Sequence, residues 1–169
     1  MGELPKLALS VRQPWAWAII HAGKDIENRS WQAISRGAMA AGRIAIHAAK
    51  GMTRDEYESA AEFMKRLGVV CPLPFQLDRG GIIGSVTITD FVKDSDSPWF
   101  FGPRGIVLAD AKACEPQPCL GSLGFFEWVS TMADDLDQPK PWMASWPAQA
   151  ERKQGAQIAP QPLSLFADT

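Results

Sequence analysis

Chemistry in this chain has to come from a small set of side chains in its first third. Arg12, Lys24, Arg29, Arg43 and Lys50 supply positive charge there, and Trp15, Trp17 and Trp31 are interleaved with them. Single-stranded nucleic acid is held by this combination. Bases stack on aromatic faces, at about 1–3 kcal/mol each, while cations meet phosphate. Gln13 and Asn28 add side-chain amides, which both donate and accept and so suit the edge of a base. In Lys24-Asp-Ile-Glu-Asn-Arg29 two cations and two carboxylates fall within six residues. A short extended segment there sets Asp25, Glu27 and Arg29 on one face, with Ile26 and Asn28 on the other. The plain reading is a structural ion pair plus a surface lysine. The sharper reading is an acid–base pair, in which Glu27 activates a water and Lys24 tunes its charge.

Other chemistries find little support. Cys71, Cys114 and Cys119 are an odd number with no CxxC spacing, which fits a reducing compartment and apolar filler roles. His21 and His47 stand at unrelated positions, so a zinc site with paired ligand spacings is not expected, and neither is a cofactor. The formal net charge is −2, which rules out a protein that coats nucleic acid nonspecifically. That balance hides an asymmetry: residues 1–54 carry eight lysines and arginines against three acidic residues, and the remainder is acidic. With screening confining the field to about 8–10 Å, the basic third can still attract phosphate locally, and a discrete pocket is expected. No apolar run approaches the ~18 residues of a membrane helix, and the N-terminal stretch lacks secretory signal character, so the expectation is a cytoplasmic protein without a membrane partner.

The 169 residues suffice for one domain, and 46% hydrophobic against 21% charged residues is the composition of a folded one. Residues 6–11 read as a strand, and Pro14 suits the first turn of a helix over 15–22. That helix is apolar nearly all round, as buried helices are. Trp15 shares its main apolar face with Ala18, Ile19 and Ala22, which points to the core; Trp17 lies opposite and is the better stacking candidate. Residues 43–48 alternate as a strand, with His47 on the face away from Ile44 and Ile46 and suited to a satisfied polar contact. Lys50 follows at its end. Thr53-Arg-Asp-Glu56 is a capping box that opens a helix running to Gly68. Residues 81–92 are rich in β-branched residues and form the strongest strand. Residues 104–111 form another, 115–118 a turn, and 120–129 a last apolar stretch, with Ser122 in a tight turn between glycines. Strands joined by short turns, with helices packed on them, predict an α+β fold whose sheet curls towards a barrel.

Three stretches together resemble the ASCH (activating signal cointegrator homology) domain family of the PUA-like superfamily. They are Leu9-Ser-Val-Arg-Gln-Pro-Trp15 with Lys24-Asp-Ile-Glu-Asn-Arg-Ser-Trp31; Gly42-Arg-Ile-Ala-Ile-His-Ala-Ala-Lys50; and Gly102-Pro-Arg-Gly-Ile-Val-Leu108 with Pro118-Cys-Leu-Gly-Ser-Leu-Gly124. The resemblance implies a small PUA-like β-barrel with flanking helices and a cleft for RNA or a modified nucleoside. It places Ser10, Arg12, Gln13, Trp17, Lys24, Glu27, Asn28, Arg29, Trp31, His47, Lys50 and Ser122 as candidate ligand contacts. Some small relatives are amidohydrolases acting on acetylated cytidine through Lys-x-x-Thr. Here Lys24 is followed at that spacing by Glu27, so the hydroxyl is missing. A ribonuclease role, by the same analogy, would fall to Lys24, Lys50 and Ser122 without metal. The resemblance covers roughly residues 6–128, within a domain expected over 1–130; beyond it the composition shifts, and 131–169 reads as a Pro/Ala/Gln-rich, extended or poorly ordered tail. Within that tail Gln161-Pro-Leu-Ser-Leu-Phe166 resembles the peptide by which bacterial replication and repair proteins dock on the sliding clamp, with Gln161, Leu163, Leu165 and Phe166 as anchors.

Overall fold

The computed structural model describes residues 2–30, 42–131 and 135–146. Leu7–Val11 forms β1, with Ala8, Leu9 and Val11 buried. The chain turns through Pro14 into α1 (Trp15–His21), whose Ala16, Ala18, Ile19 and Ile20 are all buried. A seven-residue helix has no stability of its own in water, so its apolar girth decides its place. It packs inside the curl of the sheet, and Ile19 and Ile20 meet Leu9, Val11, Ile44, Ile46, Val86, Ile88, Ile106 and Leu108 in the main core. The helix sits so close that a Cβ on Gly84 would lie 2.7 Å from Ile20 Cδ1 and 2.5 Å from the Lys112 carbonyl.

Four more long or short strands follow: β2 (Ile26–Arg29), β3 (Gly42–Ala48), β4 (Gly81–Val92) and β5 (Arg104–Pro118), and finally β6 (Phe125–Glu127). They make one sheet in the order β2-β5-β4-β3-β1-β6. Only β1 and β3 run parallel; every other ladder is antiparallel. The sheet curls into a half-barrel, an α+β architecture that agrees with the expected PUA-like barrel. Bulges in the β4–β5 ladder supply part of the curvature.

Outside the sheet lies α2 (Arg54–Arg66). The Thr53 hydroxyl accepts from the Glu56 N–H while the Glu56 carboxylate accepts from the Thr53 N–H, so the box read in the sequence is formed. Tyr57, Ala60 and Met64 turn inward from this helix. No helix among the described residues is long and apolar enough to cross a membrane.

Two expectations need correction. The turn placed at 115–118 is strand: β5 continues to Pro118, opposite Gly81. β2 covers β5 only over Arg104–Val107, so the rest of β5 is an edge, where the missing N–H of Pro116 and Pro118 removes no second ladder. The extended tail expected from 131 is, over residues 135–146, part of the folded body. Pro141–Ala144 forms α3, and its Met143 is fully buried with Met52, Tyr57 and Leu77. Trp142 and Trp146 pack on Tyr57, with ring centroids at 6.2 and 5.0 Å. Arg79, almost wholly buried, holds this segment by donating to Asp137 Oδ2 at 3.1 Å, to the Gln138 carbonyl at 2.8 Å and to the Lys50 carbonyl.

Candidate functional site

β1 and β2 share no ladder, yet the curl of the sheet brings them face to face. Arg29 Nη2 donates to the Ser10 carbonyl at 2.6 Å and closes the seam with a side chain where a full barrel would use backbone. Beside that bond is a hollow of about 310 Å³. Its walls are Ser10, Val11, Arg12 and Trp15 from one side, Glu27, Asn28 and Arg29 from the other, with Ala49, Leu123 and Gly124 at the rim. The volume lies at the small end of ligand sites, which suits a base or a nucleoside.

Buried charge underlies one wall. Lys24 Nζ reaches Glu27 Oε2 at 2.9 Å, donates to the Ile26 carbonyl, and stands 5.8 Å from the centre of the Trp15 ring. Glu27 Oε1 takes Arg29 Nη2 at 3.1 Å. Both carboxylate oxygens are therefore occupied, and the trio keeps one positive charge in excess beside the hollow. Arg29 Nε is buried and meets no hydrogen-bond partner among the described residues. A buried donor without an acceptor costs about 1–3 kcal/mol, which an arriving acceptor returns. Arg12, half-exposed at the lip, pairs with Glu56 Oε2 at 2.7 Å and holds that carboxyl below the usual carboxylate range.

Asn28 lines the hollow, but its amide is spent on the fold. Oδ1 accepts from the Phe101 and Gly102 N–H groups at 2.7 and 3.1 Å, and Nδ2 donates to the Trp99 carbonyl at 2.9 Å. Gln13 is buried outside the hollow; it donates to the Asp78 carbonyl at 2.8 Å and accepts from the Trp17 N–H at 2.9 Å. Trp15 packs on the core as expected and also lines the hollow, which Trp17 does not. Trp15, half-buried, presents an edge of the core to the hollow, whereas Trp17 packs against His21 and the Ala60 and Met143 clusters. Helical periodicity separates the two faces without saying which one meets the seam.

His47 lies behind the hollow, opposite Ser10 in the β1–β3 ladder, with Nδ1 at 3.1 Å from the Ser10 hydroxyl. The loop from Leu120 to Gly124 lies over it so closely that a Cβ on Gly121 would fall 2.4 Å from His47 Cε1. Ser122 is exposed in that loop, and Leu123, next to it, is 98% exposed at the hollow's rim. Lys50 is exposed, reaches towards Asp137 at 4.0 Å and does not line the hollow. Arg43 braces β3 against Ser85 and Asp110 on the sheet. Trp31 and the tail residues Gln161, Leu163, Leu165 and Phe166 lie outside the described residues.

Burial holds the His47 pKa below its ordinary 6.5; the Cys119 backbone opposes this and the Lys50 charge adds to it. Nε2 lies without a partner in hydrogen-bond geometry among the described residues. The unfolded chain thus takes up a proton near pH 6.5 that the folded chain refuses, and stability present above that pH is lost as pH falls through it. Melting temperature is expected to drop as pH falls below 6.5. His47→Gln removes that component; an unchanged slope in the variant assigns it to another group.

A larger hollow of about 560 Å³ lies between Glu3–Lys6 and Trp128–Ser130. Its charges are Lys6 against Glu3 and Glu127, and no buried polar group converges on it. The seam hollow instead joins an aromatic edge, two guanidiniums and a buried donor without a partner among the described residues. Residues 9–115, more than half of the chain, match the family model of the ASCH domain. That span carries every wall residue of the seam except Leu123 and Gly124. No curated protein matches the chain.

Proposed function

The chain belongs to the ASCH domain family, within the PUA-like superfamily, and on that premise we propose that it is an RNA-binding module whose seam hollow seats one nucleobase or modified nucleoside. The observation that carries the reading is the meeting of the Trp15 edge, Arg12 and Arg29 in one hollow, with Arg29 Nε buried and without a hydrogen-bond partner among the described residues. A base carbonyl or ring nitrogen supplies one when a small turn of the guanidinium, whose Nε is closed to solvent in this structure, brings it to the hollow. The Trp15 edge and Leu123 give the base apolar contact, and Arg12 at the lip faces the sugar–phosphate side. The excess charge of the Lys24–Glu27–Arg29 trio favours an electron-rich ligand edge over a cation.

The test is titration of the protein with single-stranded RNA and with a nucleoside panel that includes acetylated cytidine. Binding of RNA is expected to weaken with salt. Arg12→Ala is expected to flatten the log–log salt slope by about 0.7, the contribution of one phosphate contact on a single strand. An unchanged slope removes Arg12 from the interface, and no binding by any member of the panel overturns the proposal.

A hydrolytic reading is favoured by one observation, the buried 2.9 Å contact between Lys24 and Glu27 beside the hollow. For Glu27 to activate water, a lone pair left beyond its two cation contacts must face the hollow. Turnover of acetylated cytidine that vanishes in Lys24→Met while binding survives supports catalysis; binding without turnover leaves the module reading.

A further inference from the structure

We infer that the seam takes a single-stranded RNA segment of at least two nucleotides, with Phe101 as the platform on which the base next to the seated one stacks. This rests on the nucleobase reading of the hollow and goes beyond it by choosing a strand over a free nucleoside.

Phe101 stands 59% exposed in the connection between β4 and β5, outside the hollow itself. Its ring lies edge-on to Phe63 at 4.9 Å and to Trp15 at 6.4 Å, both within the range of paired aromatics. Trp15 therefore touches both the hollow and Phe101. A strand leaving a base seated in the hollow on this side meets Phe101 as its next aromatic surface.

The backbone under that ring is fixed by the hollow's own wall. Asn28 Oδ1 accepts from the Phe101 and Gly102 N–H groups, and Asn28 Nδ2 holds the Trp99 carbonyl. An exposed aromatic on a pinned loop loses little conformational freedom when a base stacks on it, which is the condition for tight stacking. Charge follows the same path. Arg12 and Arg29 both line the hollow and put two cations where a phosphate backbone would pass. A free nucleoside needs neither the second aromatic face nor a cation at the lip.

The experiment compares eight-residue homopolymers of A, C and U with the corresponding free nucleosides, on the full chain, as wild type, Phe101→Ala, Phe101→Leu and Phe101→Trp. Wild type is expected to bind the oligonucleotides at least roughly tenfold more tightly than the nucleosides. Phe101→Ala is expected to weaken oligonucleotide binding by roughly 5- to 150-fold, the range of one lost stacked base, and to leave nucleoside binding unchanged. Phe101→Leu keeps the packing on Phe63 without the π-face, so it controls for folding and is expected to lose the same increment. Phe101→Trp retains it. Equal affinity for strand and nucleoside overturns the inference while leaving the nucleobase site standing. Equal losses for both ligands in Phe101→Ala also overturn it, since Phe101 then belongs to the hollow. Absence of binding by either class overturns both the inference and the reading beneath it.

Discussion

Glu27→Ala is expected to destabilise the protein by about 3–5 kcal/mol, the cost of leaving a buried charge unpaired. For a domain of this size that corresponds to a fall in Tm of about 6–20 °C. The reason is the position of Lys24, whose side chain is only 2% exposed. Without Glu27 its ammonium keeps a single acceptor, the Ile26 carbonyl, and Arg29 keeps the Ser10 carbonyl alone. Two cations then face each other in a place water hardly reaches. The double variant Lys24→Met/Glu27→Leu is expected to regain most of the loss, because well-packed apolar residues often replace a buried ion pair without penalty. Glu56→Ala is the contrast. Its pair with Arg12 is half in solvent and is worth about 0–1 kcal/mol, and its half of the capping box adds about 0.3–1.5 kcal/mol, so the loss should stay well below that of Glu27→Ala. Thermal melts of the four proteins decide the matter, and a Glu27→Ala protein that melts within a degree or two of wild type would show that the trio does not act as a buried charge network.

The same trio shows what the sequence could and could not disclose. Alternation across Asp25–Arg29 was enough to put Glu27 and Arg29 on one face, because a strand fixes side-chain direction every second residue. The apolar girth of residues 15–21 placed that helix inside, and the spacing of Thr53 and Glu56 marked the start of the next. These are local signals, and the structure carries all three. What stayed hidden is non-local. Asn28 spends its amide on residues 99–102, more than seventy positions away, and no periodicity points to them. Arg79 looks like one more surface cation until Asp137 and Gln138 fold back over it. Trp142, Met143 and Trp146 sit among prolines that read as a tail, although their spacing gives a one-turn helix a single apolar side. The seam itself follows from the curl of six strands, which sets β2 opposite β1 without any pairing between them. Sequence could propose that cations and indoles meet, but only the closed seam selects Trp15 over Trp17 and retires Gln13 to the interior.

Arg29→Lys is expected to weaken binding of RNA and of nucleosides alike by roughly 10- to 150-fold, the worth of a buried hydrogen bond made by a charged group. The substitution preserves the charge beside Glu27, so the fold should persist with a modest loss of stability. It removes the planar fork. Arg29 now bonds the Ser10 carbonyl and Glu27 through Nη2 and still has Nε buried in the wall of the hollow. A lysine carries its donors on one nitrogen at the end of a flexible stem and cannot close the seam and serve a ligand from two separate positions. Arg12→Lys at the lip should change affinity little, since a phosphate there needs a charge and no fixed geometry. Isothermal titration of the two variants against the same oligonucleotides and nucleosides separates the roles. If Arg29→Lys binds as wild type does, Nε is not the donor that receives the base, and the hollow loses the observation that identifies it as a site.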